Sequence, residues 1–228
     1  MKFTINIDLL LQSRESLSGR KNLYWIVGGS GSGKTTICNA LSEKLDIPIY
    51  DMDAHIYGDY HGRFTEETHP INKAWVNAEN SLAWLLNMTW EEFNAFNQAA
   101  LPEYLHLLSE DMEKRSSNRP ILIDGGISNP ALLAEAISPQ QIICLARPGH
   151  TSAEVWTESE ERRSMQDFVF QLPEPEKAWH NFLEFDKMIT ITMSKEAQEK
   201  NIVVLPRKEK DSVSKFAKEV AQALQLAQ

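Results

Sequence analysis

One segment near the start of the chain constrains the fold more than any other feature. Residues 28–35 read Gly-Gly-Ser-Gly-Ser-Gly-Lys-Thr and match the pattern G-x-x-x-x-G-K-[ST]. An apolar run over residues 23–27 precedes this segment, and a helical pattern over residues 34–45 follows it. Glycines let the backbone turn tightly around a phosphate group with its N–H groups pointing inward. We therefore expect a strand, a phosphate-binding loop and a helix, in that order.

The loop predicts a role for each of its polar residues. Lys34 is placed to neutralise the β- and γ-phosphates of a nucleotide, and the Thr35 hydroxyl to bind Mg²⁺. The positive end of the helix that begins at Lys34 adds to the attraction. A glycine- and serine-rich linker that happens to contain Gly-Lys-Thr is the structural alternative. The residues expected to surround the phosphates are Gly28, Gly29, Ser30, Gly31, Ser32, Gly33, Lys34, Thr35 and Thr36.

Further short apolar runs predict the remaining strands of a sheet. They cover residues 47–51, 121–124, 141–145 and 202–205. Continuous apolar strands separated by helical patterns are typical of a buried parallel sheet, so the predicted fold class is α/β. We expect a single domain over residues 1–228. Its core would comprise residues 21–53, 119–147 and 201–228.

Two long segments separate the predicted strands. Residues 54–118 form an insert that is helical by pattern, with apolar positions on one face over residues 71–85 and on another over residues 101–112. Residues 89–92, Thr-Trp-Glu-Glu, predict a capping box between these faces. Residues 148–200 form the second segment. The spacing also predicts helices over residues 8–17 and 211–224.

Charge and cysteine content exclude several functional classes. The 23 Lys and Arg against 32 Asp and Glu give a net charge of −9, which argues against nucleic-acid or anionic-membrane partners. Cys38 and Cys144 lie in apolar stretches, so we expect buried thiols rather than redox or metal groups. Neither a secretory signal nor an apolar run of about 18 residues is visible, so we expect a cytoplasmic protein.

Carboxylates end two of the predicted strands. Asp51 and Asp53 follow the second strand, and Asp124 ends the third. The carboxyl ends of parallel strands meet at one edge of a sheet, where ligands bind. We predict that Asp124 holds Mg²⁺ beside Thr35. Of Asp51 and Asp53, one would assist the metal and the other would accept the proton of an acceptor hydroxyl; the preferred assignment gives the metal to Asp51 and the proton to Asp53. The alternatives are a turn cap at Asp124 and a solvated strand end at Asp51 and Asp53.

Polar and aromatic residues follow these carboxylates. His55, Tyr57, Tyr60, His61 and Arg63 form a cluster suited to a small polar acceptor, although an ordinary surface loop has the same composition. The histidine spacing does not predict a zinc site.

Arginines in the second long segment are candidate catalytic residues. Phosphoryl transfer spreads charge over the equatorial oxygens, which an arginine stabilises, so we expect Arg162 or Arg163 to act. Arg147, directly after the fourth strand, is a further candidate. In the structural alternative, Glu158 and Glu161 pair with these arginines on a solvated helix face.

The order of these motifs resembles that of the P-loop small-molecule kinases of the nucleoside-monophosphate-kinase-like superfamily, over nearly the whole chain after residue 20. Residues 51–53, Asp-Met-Asp, look like the DxD of shikimate- and gluconate-type kinases. Residues 123–126, Ile-Asp-Gly-Gly, are similar to the LDG of adenylate kinases and to the glycine-rich acceptor loop of shikimate kinases. The resemblance implies a three-layer fold with a five-stranded sheet ordered 2-3-1-4-5.

The same resemblance implies ATP and Mg²⁺ as cofactors, an acceptor site in the insert and a closing lid in the second long segment. Arg207 lies where the adenine-contacting loop follows the fifth strand in that family. We therefore expect phosphoryl transfer from ATP to a small polar metabolite, on a hydroxyl.

Two other functions remain open. A nucleoside or nucleoside-monophosphate kinase is weakened because residues 127–129, Ile-Ser-Asn, stand where adenylate kinases carry Phe-Pro-Arg. A nucleotide-dependent switch or ATPase, whose insert contacts a protein partner, belongs to a different class. Guanine is disfavoured, because residues 72–75 lack the aspartate of an NKxD motif. The acceptor and the oligomeric state stay undetermined.

Overall fold

A parallel sheet forms the centre of the computed structural model, which describes residues 2–115 and 119–226. Its order is 2-3-1-4-5, so the predicted α/β fold and strand order are confirmed. Each pair of neighbouring strands is parallel. The strands are β1 (Leu23–Gly28), β2 (Ile49–Asp51), β3 (Ile121–Asp124), β4 (Ile142–Ala146) and β5 (Val203–Pro206).

Helices connect the strands and cover both faces of the sheet. A π-helical turn, His55–Asp59, follows the third helix, and a 3₁₀ turn, Pro139–Gln141, precedes β4. The α-helices of the described residues are α1 (Ile7–Leu17), α2 (Lys34–Leu45), α3 (Met52–Ala54), α4 (Pro70–Val76), α5 (Ser81–Leu86), α6 (Trp90–Lys114), α7 (Pro130–Leu133), α8 (Ser152–Thr157), α9 (Glu160–Val169), α10 (Pro175–Glu199) and α11 (Val213–Ala223).

The two faces of the sheet carry separate apolar cores. Alternate residues of β1 point to opposite faces, so Ile26 packs with side chains of α2 and α11, whereas Trp25 packs with those of α6. The result is the predicted three-layer arrangement. Cys38 and Cys144 are buried free thiols, one in each core, as expected. Burial raises the pKa of the Cys144 thiol to about 11.

The helical insert differs from its prediction at one point. The apolar face expected over residues 71–85 is divided, because α4 ends at Val76 and α5 begins at Ser81. The Asn80 side chain accepts the backbone N–H of Ala83 and caps α5. The predicted capping box is present at Thr89 and begins the 25-residue helix α6.

The ends of the chain are packed onto this frame. Helix α1 agrees with the amphipathic helix predicted there and packs against α6. Helix α11 buries Phe216 and Val220 against α2, as its spacing predicts. Among the described residues, none of the helices has the length and apolar character needed to cross a membrane.

Candidate active site

The phosphate loop has the glycine-dependent backbone that its sequence predicts. Gly28, Gly31 and Gly33 all have positive φ angles, of 149°, 74° and 94°. At Gly28 a Cβ would also collide with the carbonyl oxygen of Leu145 in β4, so a larger residue cannot occupy this position without moving the strand. The hydroxyl of Ser32 is buried without a hydrogen-bond partner among the described residues. The loop therefore has a buried hydroxyl that could hydrogen-bond with a ligand.

Lys34 lies across the mouth of the loop. Its Nζ donates to the carbonyl oxygens of Gly28 at 2.8 Å and Gly29 at 3.3 Å. These contacts hold the ammonium at the N-terminal end of α2, where the helix dipole also attracts anions. Thr36, the last residue of the predicted loop, is exposed in the first turn of α2. The positive charge is therefore placed where a phosphate would meet the loop.

Asp124, at the end of β3, is almost fully buried beside the first turn of α2. Hydrogen bonding with the Thr35 hydroxyl and the Cys38 thiol acts to lower the pKa of its carboxyl. Its Oδ1 has no hydrogen-bond partner among the described residues. Burial raises the pKa of Asp124, whereas the Thr35 hydrogen bond and the charge of Lys34 act to lower it. A buried carboxyl oxygen without a partner is costly unless a ligand or ion completes the site.

The residues around Asp124 fit a magnesium ion that is shared with a nucleotide. In the described part of the chain, no three His, Cys, Asp or Glu side chains form a ready-made metal cluster. Mg²⁺ at phosphate sites needs only one or two carboxylates, because phosphates and waters complete its octahedral shell. Thr35 and Asp124 supply the hard oxygen ligands. Asp51 pairs with Asp124 in the sheet register, and its Oδ1 caps α3 through the N–H of Ala54 at 2.9 Å.

Asp53 points from α3 towards the turn that follows β3. A Cβ on Gly125 would collide with its carboxylate, and hydrogen bonding with the backbone N–H of Gly126 acts to lower its pKa. Both glycines have positive φ angles; the missing Cβ at Gly125 makes room for this carboxylate, and the missing Cβ at Gly126 makes room for the Met52 side chain. Desolvation by the surrounding protein raises the pKa of Asp53, although the carboxyl opens into a cavity, and the charge of Lys34 acts in the opposite direction.

That cavity, which we call the acceptor cavity, has a volume of about 380 Å³ and begins at the phosphate loop. Lys34 and Asp53 both line it at the end where the loop lies. The rest of the wall is largely apolar and is contributed by α5, α6, α8, α9, α10 and the turn after β3. Representative wall residues are Leu82, Leu85, Phe93, Phe182, Phe185 and Ile189. This wall differs from the small polar acceptor site that the sequence predicts.

The predicted polar cluster mostly braces the insert instead. Tyr60 is buried and its hydroxyl hydrogen-bonds with that of Tyr50 at 2.7 Å. Arg63 forms ion pairs with Asp111 at 2.8 Å and Glu110 at 2.9 Å on α6. Of the cluster, Tyr57 lines the acceptor cavity. Because α6 supplies carboxylates, Arg63 turns towards the helix and away from the phosphate loop.

Asp186 on α10 is a site residue that the sequence analysis does not predict. Its Oδ1 accepts a hydrogen bond from the Ser30 hydroxyl in the phosphate loop, and the residue also lines the acceptor cavity. Thr190, one turn further along α10, lies against Gly29. An acidic residue on the otherwise apolar face of Phe182 is the signal that could have indicated it.

Arg162 and Arg163 leave α9 in different directions. The Nη1 of Arg162 pairs with Glu158 at 3.0 Å and lies 3.3 Å from the position that a Cβ would take on Gly31. Arg163 is exposed and donates to the carbonyl oxygen of Thr157 at 3.1 Å. The structure therefore brings Arg162 to the phosphate loop and leaves Arg163 away from it.

Glu158, between α8 and α9, joins two arginines. It accepts hydrogen bonds from Arg147 at 2.8 Å and Arg162 at 3.0 Å, and the hydrogen bond from Arg147 lowers its pKa. The expected helix-face pair of Glu158 with Arg162 is thus present together with the loop contact. The side chain of Glu161 lies outside the described part of the structure.

A second cleft, of about 400 Å³, lies beside the loop on the β5 side and is lined mainly by charged groups. Arg207 follows β5 and lines this cleft, and its Nη1 lies 2.9 Å from the position that a Cβ would take on Gly33. The other lining residues are Arg147, His150, Glu158, Lys208 and Glu209. We call it the β5 cleft. It borders the phosphate loop through Arg207, and its charged lining contrasts with the apolar wall of the acceptor cavity.

Comparisons with known proteins show similarity at the level of the fold. No family model matches the chain, and no curated protein matches it. Among solved structures, TT1252 from Thermus thermophilus is 17% identical with a TM-score of 0.50, over 90% of this chain and 98% of that chain.

Two further solved structures also align. Shikimate kinase from Acinetobacter baumannii, in complex with shikimate, is 16% identical with a TM-score of 0.45, over 90% of this chain and 93% of that one. Dephospho-CoA kinase from Campylobacter jejuni is 16% identical with a TM-score of 0.38, over 90% and 96%. The observed strand order and phosphate loop agree with the P-loop α/β fold that the sequence resemblance implies, and the function of the chain rests on its own residues.

Proposed function

We propose that this protein transfers a phosphoryl group from ATP to a hydroxyl of a small molecule, with Mg²⁺ as cofactor. One observation carries the proposal: Lys34 and Asp53 line the same cavity, which begins at the phosphate loop. A group that can bind phosphate and a group that can accept a proton therefore face one cavity. This is the arrangement that in-line transfer to a hydroxyl requires.

ATP would bind with its phosphates in the loop and its nucleoside towards the β5 cleft. The glycine-rich backbone, Lys34 and the N-terminal end of α2 would hold the phosphates, and Arg207 lies where the nucleoside would enter the β5 cleft. Thr35 and Asp124, with Asp51 beside them, would hold Mg²⁺, which when bound neutralises charge on the phosphates.

Asp53 would orient the acceptor hydroxyl and take its proton as the new P–O bond forms. A base acts best when its pKa lies nearer the working pH than that of a free aspartate, and burial raises the pKa of Asp53 in that direction. Hydrogen bonding with the Gly126 N–H and the absence of a Cβ at Gly125 would let the Asp53 carboxylate face the cavity.

Arg162 would stabilise the charge that develops on the transferred group. Its guanidinium already lies against Gly31 and is held there by Glu158, so it needs little reorganisation to reach the phosphates. Arg163, although assigned the same role from sequence, would contribute to the charge of the lid only. Closure of the lid would exclude water from the transfer and suppress hydrolysis.

The alternative functions have weaker support. A nucleoside-monophosphate kinase needs a cation for the acceptor phosphate, yet Lys34 is the sole basic lining of the described acceptor cavity and Arg63 is paired with α6. If the protein were a nucleotide-dependent switch, the acceptor cavity beside the loop would have no function.

Measuring ADP and inorganic phosphate in the same sample tests the proposal. The protein is incubated with Mg²⁺ and ATP, with and without a small-molecule extract as a source of acceptors. We expect the extract to increase ADP without an equal increase in inorganic phosphate, because the phosphoryl group goes to an acceptor. Equal amounts of ADP and inorganic phosphate, unaffected by the extract, would identify an ATPase or switch.

A further inference from the structure

We propose that the acceptor is an uncharged alcohol or phenol with an apolar, aryl- or alkyl-containing body, rather than a polyol, a hydroxy acid or a phosphorylated compound. This inference rests on the proposed function and names the substrate class of the same site. It replaces the small polar metabolite that the sequence predicts.

The wall of the acceptor cavity is the first observation behind this inference. Phe93 of α6 stacks on Phe185 of α10 with ring centroids 4.6 Å apart. Trp156 of α8 meets Phe182 edge-to-face at 4.8 Å. Rings from three helices thus form a preorganised surface for another ring or an alkyl chain, which would gain burial of apolar area and aromatic contacts.

The distribution of charge in the cavity is the second observation. Its charged lining residues are Lys34, Asp53 and Asp186, and all three lie beside the phosphate loop or the turn next to it. A molecule with one polar end would place that end at the loop and its body among the rings. The hydroxyl then lies between Asp53 and the phosphate that is transferred.

Anionic acceptors are disfavoured by the same lining. Among the described residues that form the cavity, Lys34 is the single basic side chain, and the phosphates of ATP would engage it. A carboxylate or phosphate on the acceptor would be buried without a cation, close to two aspartates. Polyols are disfavoured because the apolar wall offers few partners for several hydroxyls. A volume of about 380 Å³ lies within the range of small-molecule pockets.

A matched set of probe alcohols tests the inference on the wild-type protein. The probes are para-ethylbenzyl alcohol, para-(hydroxymethyl)benzoate, which has the same hydroxymethyl group and similar size but a negative charge, and gluconate. Binding is measured by calorimetry in the presence of Mg²⁺ and a non-hydrolysable ATP analogue, whose own binding is measured first. We expect para-ethylbenzyl alcohol to bind at least about tenfold more tightly than either anion.

A cavity variant makes the test two-sided. Leu82→Arg places a cation in the wall, so it should weaken binding of the ethylbenzyl alcohol about tenfold and tighten that of the benzoate. Leu11→Arg, at an exposed leucine of α1, is the matched control and should change neither. Should Leu82→Arg not fold, the wild-type series decides by itself.

The outcomes separate the two claims. If the ATP analogue binds and either anion binds as tightly as the neutral alcohol, or no probe binds, the inferred substrate class is wrong while the proposed kinase function stands. If the ATP analogue itself does not bind, the proposed function fails and the substrate class falls with it.

Discussion

The two ends of the active site are built in opposite ways. The proposed phosphate end comes from one continuous segment, residues 28–36, whose backbone would do most of the binding. The acceptor end is assembled from α5, α6, α8, α9 and α10, which are far apart in the sequence, and uses apolar side chains. A continuous backbone device is readable from sequence, whereas an assembled cavity has the composition of an ordinary core.

Lys34→Ala should have the largest effect, because it removes the charge that compensates the phosphates as they rearrange. We expect kcat to fall by about 10²- to 10³-fold or more, measured as acceptor-dependent formation of ADP. Lys44→Ala is the matched control, since Lys44 is exposed at the other end of the same helix. Near-normal turnover in Lys34→Ala would contradict the assignment of residues 28–36 as the phosphate-binding site.

Asp53→Asn tests the point where the two ends meet. We expect kcat to fall by about 10²-fold while the affinity for ATP changes little, because a general base acts on the acceptor and not on the nucleotide. A collapse of ATP affinity instead would make Asp53 a metal or structural group.

The pH profile of kcat sharpens this assignment. Asp53 must be deprotonated to accept a proton, so the rate should fall as the pH drops through its pKa, which burial raises above that of an ordinary aspartate. The residual activity of Asp53→Asn should lack this acid limb. If the limb persists in the variant, another carboxyl, with Asp186 the nearest candidate in the cavity, is the base.

Arg162 and Arg163, neighbours on α9, allow a matched comparison of two substitutions. Arg162→Ala should lower kcat at least about tenfold, because its guanidinium lies against the phosphate loop, and Arg163→Ala should stay within about twofold. Single-turnover measurements with saturating ATP separate the transfer step from product release. Equal effects of the two substitutions would show that only the overall charge of α9 matters.

Asp186→Asn should have the smallest effect. It should strengthen Mg²⁺–ATP binding, whereas the other substitutions should lower kcat. The carboxylate hydrogen-bonds with Ser30 and repels the phosphates that enter the loop, so its neutralisation should tighten Mg²⁺–ATP binding by about two- to fivefold. Calorimetric titration with Mg²⁺–ATP measures this change, and Asp167→Asn, at an exposed position of α9, serves as the control. Weaker ATP binding in Asp186→Asn would mean that the Ser30 contact organises the loop.

What sequence reasoning predicted follows the same division. The phosphate loop and the capping box at Thr89 depend on local patterns, so they could be recognised in advance, whereas the strand order came from the family resemblance. The break between α4 and α5 depends on a short cap at Asn80 inside an otherwise continuous apolar stripe. The direction of Arg63 depends on carboxylates of α6 that are more than forty residues away, which no local pattern reveals.

The acceptor site shows why residue type alone misleads. His61 and Arg63 have the chemistry of a polar binding site but contact α4 and α6. Phe182 and Phe185 have the chemistry of a core but line the cavity. Asp186 is predicted by neither pattern, because its role arises only when α10 packs against the phosphate loop.

The most direct test of the account is the melting temperature of the protein with Mg²⁺–ATP, with para-ethylbenzyl alcohol and with both together. A ligand at about 100 times its dissociation constant should stabilise the protein by about 2.7 kcal/mol. Each ligand should raise the melting temperature, and the two together should raise it further, because they would occupy different ends of one site. No shift with Mg²⁺–ATP would contradict the proposed ATP site at the phosphate loop. Mutual exclusion of the two ligands would contradict a site with separate ends for ATP and the acceptor.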